Sequence, residues 1–356
     1  MCGVAGLFVG CPAHVACPKA TILGAADPTE SAADGEAADS GTETDVVEYR
    51  SAFDSWFERA SVRRLPRRVL DPDEDKLAFS PDLVPVARHE LVRALPAELF
   101  EQVLTQHLYR YLDFTTRLEH LVVNRTVLGI AHRTVGVNLP EDMVFDAYKI
   151  YCDEAYHAVF SADLIRQVRA RTGIVPRLPT EPYFMTRLRQ IQEPLPTQLR
   201  SLVELLFVIC SETLISATLA DVPEDGRVHD AVRETIRDHA QDEGRHHAYF
   251  AVFLRQLWHQ AGPGVRRAVG PLVPDLVFAF LNPDLPAVRA ELLGYGLSRD
   301  DAEQVVAEVY DERTVREYAR DTARLTMRHF AAVGALDDVA TRDRAEELGL
   351  LERTLP

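Results

Sequence analysis

The sequence predicts an all-α helical bundle, on three observations. From Val46 onward apolar residues recur at helical spacing, and no segment alternates as a strand would. Several of these segments exceed about 20 residues and are joined by short turns, which is the pattern of a bundle. Proline, glycine and acidic capping residues fall between the segments rather than inside them.

Taken in order, a first helix is expected through "VVEYRSAFDSWFERASVR", followed by a proline-rich connector over 65–85. Amphipathic segments then run over 86–109, 110–134 and 141–172. The turn "NLPED" sets Pro140 at the start of the last of these, where a missing N–H costs nothing. "TGIVPRLPTEP" ends it. Helices follow over 197–221 and 226–261, with "VPEDG" as the turn between them. Two more are expected over 265–281 and 299–333, the second opened by the N-cap and acidic first turn of "SRDD". Residues 1–45 read differently. Between Thr21 and Asp45 they hold no aromatic, Lys or Arg, so a disordered acidic, Ala-rich tail is expected there. The organisation expected is that tail, a helical domain over 46–335, and an extension over 336–356.

The chain has 356 residues, 47% of them hydrophobic, and a formal net charge of −16. So acidic a surface repels phosphates, and "RRLPRR" at 63–68 is too short a basic cluster to offset it; no nucleic-acid partner is expected. No run of about 18 apolar residues occurs, so no membrane span is expected, and cytoplasmic residence follows. The five cysteines show neither a disulfide framework nor a closed zinc set. "MCGVAGLF" looks like the start of an N-terminal-nucleophile amidotransferase, with Cys2 attacking. The segment behind it is too short and polar to supply that domain.

The chemistry concentrates in "IRDHAQDEGRHHAYF", residues 236–250. At about 100° per residue, His239 and His246 lie within about 60° of Glu243 on one helix face. His247 lies about 40° to its other side, so geometry alone leaves it open. One Glu-x-x-His on a helix is usually a solvated face. Here there are two: Asp153-Glu154-Ala155-Tyr156-His157 and Asp242-Glu243-Gly244-Arg245-His246. Di-iron carboxylate bundles use two such motifs plus one glutamate from each of two other helices. Glu119, in "FTTRLEHLVVN", and Glu212, in "LLFVICSETLIS", stand one helix upstream of each motif. Glu212 has almost wholly apolar flanks, where a carboxylate is costly unless it pairs or binds a cation. Carboxylates are hard ligands able to bridge two cations, and imidazole suits iron. Asp153 and Asp242 are placed to accept from ligand histidine N–H groups, or else are ordinary exposed acids. His239 exceeds the six-ligand rule. It could reach the same iron as His246, or be a helix histidine that binds nothing.

The ordered set Glu119, Glu154, His157, Glu212, His239, Glu243 and His246 resembles the p-aminobenzoate N-oxygenase (AurF-like) family, over residues 46–335. The resemblance implies a ferritin-like helical bundle with additional flanking helices, holding two iron ions and using O2 as co-substrate. By position it implies that Glu119 and His157 hold one iron, that Glu212, His239 and His246 hold the other, and that Glu154 and Glu243 bridge. It further implies oxidation of an amine, commonly an aryl amine, through hydroxylamine and nitroso to nitro in antibiotic biosynthesis. No flavin or nicotinamide fingerprint is present, so an external electron donor is required. The resemblance implies an amine that is either a small molecule or tethered to a carrier protein, and a homodimer is expected. Tyr111, Phe114 and Thr218 are candidate pocket residues, though core packing would explain each singly. Arg110 and Arg117 lie off the ligand face, so a substrate without a free benzoate carboxylate fits. A di-iron hydroxylase or desaturase, or a ferroxidase-type iron-binding protein, would use the same ligands.

Overall fold

The structure, a computed structural model, describes residues 48–219 and 222–352, without the side chains of 216–218. The acidic tail and Cys2 lie outside the described residues. Numbering helices of eight residues or more, α1 (Ala97–Leu118) and α2 (Asn124–Ala131) form one rod through a π turn at Glu119–Val123. Then come α3 (Glu141–Thr172), α4 (Tyr183–Gln192), α5 (Thr197–Leu219) and α6 (Asp230–Gln260). The remainder are α7 (Val273–Leu281), α8 (Leu285–Gly294), α9 (Arg299–Val309), α10 (Glu312–Ala332) and α11 (Val339–Glu347). The fold is an all-α helical bundle. No helix among the described residues is long and apolar enough to cross a membrane.

Four rods surround the site. The α1–α2 rod packs on α3, α3 on α6, α6 on α5, and α5 back on α2. Each rod has a local cause. Pro140 caps α3, Glu141 and Asp142 favour its positive end, and Arg169 and Arg171 its negative end. Gly173 closes α3 at φ 69°, a left-handed conformation that costs glycine little. Around the bundle, α7 lies against α4 and α5, and α10 against α5.

Several elements differ from expectation. Among the described residues of the first expected helix, 48–63, no continuous helix forms. There are single turns at Trp56–Arg59 and Ser61–Arg64, separated by extended Ala60 at ψ 139°. Tertiary bonds win over periodicity there. Tyr49 and Ser51 both donate to Asp146 at 2.6 Å, and Trp56 and Ser61 donate to Asp153 and Asp242. The expected pair 86–109 and 110–134 is the single α1–α2 rod, begun at Pro96 instead of 86. The 265–281 segment breaks into Pro263–Val269 and α7 where Gly270 and Pro271 interrupt it. The 299–333 segment breaks at Asp311, whose carboxylate accepts from the Arg313 and Thr314 amides and starts α10. α6 begins at 230 rather than 226, because Arg227 and His229 bond instead to the backbone of Leu77.

Candidate metal centre

The seven residues singled out by pattern converge in the middle of the four rods. Glu119, Glu154, His157, Glu212, Glu243 and His246 are wholly inaccessible, and His239 is nearly so. They fall into two overlapping groups able to hold an ion: Glu119, His157, His239 and Glu243, and Glu154, Glu212, Glu243 and His246. Glu243 belongs to both. Its Oε1 is 3.1 Å from His239 Nε2, 3.2 Å from His246 Nδ1 and 3.4 Å from His157 Nδ1. Glu154 also spans the groups, its two oxygens each 2.9 Å from Nδ1 of His157 and of His246.

His239 differs from its expected place. Its Nε2 is 3.6 Å from Glu119, and its ring centroid 4.3 Å from that of His157, so it joins their group and not that of His246. The reason is direction along the helix. His239 precedes Glu243 by one turn and His246 follows it, so the two imidazoles straddle the shared carboxylate.

The cluster is built for cations. Both oxygens of Glu119 and of Glu212 and one of Glu243 are buried with no hydrogen-bond partner. An uncompensated buried carboxylate costs several kcal/mol, and the protein gathers four. Protonation shows the same stress. Burial, reinforced by the Glu154 charge, pushes Glu119 and Glu212 well above the usual carboxylate range. Burial opposes charging His157, yet Asp242 and Glu154 push it up to about 10. Cations at the two groups would take the place of those protons. Carboxylate with imidazole, and no thiolate, is a donor set that accepts divalent iron.

The family described as "P-aminobenzoate N-oxygenase AurF" matches residues 55–334. The chain belongs to the p-aminobenzoate N-oxygenase family. Membership makes it an amine N-oxygenase and an oxidoreductase. A relative from Streptomyces thioluteus, named 4-aminobenzoate N-oxygenase, is 26% identical over 263 residues, covering 70% of this chain and 77% of its own. The family match opens at residue 55, beside the N-terminal turns that close over the cluster.

Those turns supply contacts that periodicity did not reveal. Nε2 of His157 lies 3.2 Å from Asp242, and Nε2 of His246 lies 3.3 Å from Asp153. The pairing is crossed, each motif's aspartate meeting the other motif's histidine. With Nε2–H donating outward, each Nδ1 faces the carboxylates, where a cation would take the place of its proton. Trp56 Nε1–H in turn donates to Asp153 at 2.9 Å, and the Ser61 amide to Asp242 at 3.3 Å. Arg245 pairs with Asp242 and lies 3.8 Å from Asp153. Phe53 stacks on His246 at 5.9 Å between centroids. Although burial opposes it, the His157 contact holds the Asp242 carboxyl at about 2, so it stays ionised at neutral pH. Replacing Asp242 with asparagine is expected to weaken metal binding by about 10- to 100-fold, with the fold retained. Competition with a coloured chelator, beside a circular dichroism spectrum, measures both.

Of the candidate pocket residues, Tyr111 and Phe114 line a cavity of about 550 Å³ between the bundle and the flanking helices. Both lie on α1 one to two turns before Glu119, and burial, with the Glu243 charge adding to it, pushes the Tyr111 hydroxyl up. Thr218 falls among the residues whose side chains are not described. His247 turns away from the cluster and meets His329, Nε2 to Nε2 at 3.0 Å.

Proposed function

We propose that the protein binds two irons and uses them with O2 to oxidise the nitrogen of an aryl amine. The observation that carries this reading is the buried cluster of four glutamates and three histidines, most of whose carboxylate oxygens lack hydrogen-bond donors. It is joined to membership in a family described by its p-aminobenzoate N-oxygenases. Glu119, His157 and His239 would hold one iron, Glu212 and His246 the other, with Glu154 and Glu243 shared. When bound, the irons supply electrons and open coordination positions for O2. The chain's own residues do the rest. Asp153 and Asp242 fix the tautomers of His246 and His157, and Tyr111 and Phe114 form the wall against which the amine would lie.

The first oxidation balances as amine plus O2, two electrons and two protons, giving hydroxylamine and water. The electrons come from an external donor. Further rounds would carry the nitrogen to nitroso and nitro. A cytoplasmic homodimer serving antibiotic biosynthesis, on a free or carrier-bound amine, completes the proposal.

The test is anaerobic loading with ferrous iron, metal counting, and then O2 with a panel of aryl amines read by mass spectrometry. About two irons per chain and a gain of oxygen on nitrogen are expected. Oxygen on carbon, or loss of two hydrogens, would point to a hydroxylase or desaturase. Ferrous oxidation with every amine unchanged would point to a ferroxidase. A zinc-only or single-iron protein would sink the proposal.

A further inference from the structure

The cavity beside Tyr111 is unusual in how its charges are already used. Arg110, in its wall, is paired with Glu291 of α8. Asp113 is held by Arg117 at 3.0 Å. Asp284 spends its carboxylate capping α8 through the Ala287 amide at 3.1 Å. His107 is half-buried beside Arg110. Burial first, and that neighbouring charge second, press its pKa down to about 3, so it is neutral. Arg88 also lines the cavity, but it is exposed to solvent. The remaining lining is mostly apolar, aliphatic and aromatic, with Asn282 and Thr314 as uncharged polar groups; within it Phe114 packs edge-on against Phe184 and Phe280, at 5.1 and 5.3 Å between centroids.

Two consequences follow for a ligand. A carboxylate on its ring would lose water without gaining a cation inside the cavity, because the half-buried Arg110 guanidinium already has a carboxylate. And about 550 Å³ lies within the range of roughly 300–1,000 Å³ of pockets that hold drug-sized molecules, more than a single substituted ring needs.

We infer that this pocket takes an aryl amine with no anionic substituent on its ring and with a body extending beyond one ring, in place of a free aminobenzoate. This rests on the N-oxygenase reading above and names the substrate class for it.

Calorimetric binding to the iron-loaded protein tests it with three probes: 4-aminobenzoate, its methyl ester and 4-aminobiphenyl. The ester is expected to bind at least about tenfold tighter than the acid, and the biphenyl tighter than the ester. Glu291→Gln keeps the shape of its side chain while releasing Arg110. It should raise affinity for 4-aminobenzoate about tenfold and leave the two neutral amines within about twofold. The inference is overturned if 4-aminobenzoate binds the unaltered protein as tightly as its ester. It is equally overturned if Arg88→Ala abolishes 4-aminobenzoate binding, since that would make Arg88 a carboxylate anchor. Turnover of the same amines separates the two claims. Binding in the expected order with no N-oxidation of any probe removes the N-oxygenase reading and keeps the pocket's preference.

Discussion

Glu243→Ala is expected to cut amine N-oxidation by more than about 100-fold and to lower iron content from about two per chain to one or none. Glu243 is the residue common to both groups, with one oxygen within 3.4 Å of three imidazoles. A ligand confined to one group can be lost at the expense of one ion. A shared ligand cannot, because its removal also leaves two cations facing each other with less negative charge between them. Metal counting beside single-turnover mass spectrometry checks both halves. Two irons and near-normal turnover in the variant would remove Glu243 from the proposed bridging position.

Glu212→Leu is expected to move stability in opposite directions in the two states. Glu212 sits in the apolar run of α5, wholly buried, with neither oxygen hydrogen-bonded. Replacing a buried carboxyl that lacks hydrogen-bond partners by a hydrophobic side chain of similar size removes a desolvation cost of about 1–3 kcal/mol. The metal-free variant should therefore unfold a few degrees above the metal-free parent. The parent should gain strongly on loading: a ligand at about 1,000 times its Kd contributes about 4 kcal/mol, on the order of 10 °C in Tm for a chain of this size. The variant should lose most of that gain. Scanning calorimetry of both proteins, with and without ferrous iron under argon, measures the four values. If iron raises Tm equally in both, Glu212 holds no metal. If the metal-free variant is the less stable, the buried carboxylate has a partner other than a cation.

The four rods and the cluster within them were legible because both follow the helical period. Two Asp-Glu-x-x-His motifs and two upstream glutamates need only that period to be recognised, and all meet in space. What periodicity could not show was anything set by contacts distant in sequence. Trp56 and Asp153 are 97 residues apart, and nothing in "SAFDSWFERAS" says that its helix is broken so that one indole and one amide can reach two aspartates. The side on which His239 falls depends on whether the other rods stand before or after Glu243 along α6, which a single helix does not encode. The neutral wall of the pocket depends on Glu291, in a short helix with mixed polarity that was not anticipated at all. A weak local signal would have served for Arg245: a basic residue three positions after Asp242 on a face otherwise buried.

The π turn at Glu119–Val123 carries a consequence for how this chain can vary. There the Asn124 amide bonds back to the Glu119 carbonyl, five residues away, so the rod holds one residue more than an α-helix of that path would. One residue of α-helix is about 100° of rotation. The two halves of the rod therefore keep independent phases, α1 presenting Tyr111 and Phe114 to the pocket and α2 presenting Val127 and Ile130 to the core. Deleting one residue of the turn after Glu119 would restore a plain α-helix over the same path, keeping both packed faces but turning the glutamate at its start. Substitutions on α1, by contrast, can reshape the pocket while the geometry of α2 stays as it is. The turn works as a coupling that separates a wall free to diversify from a scaffold that is not.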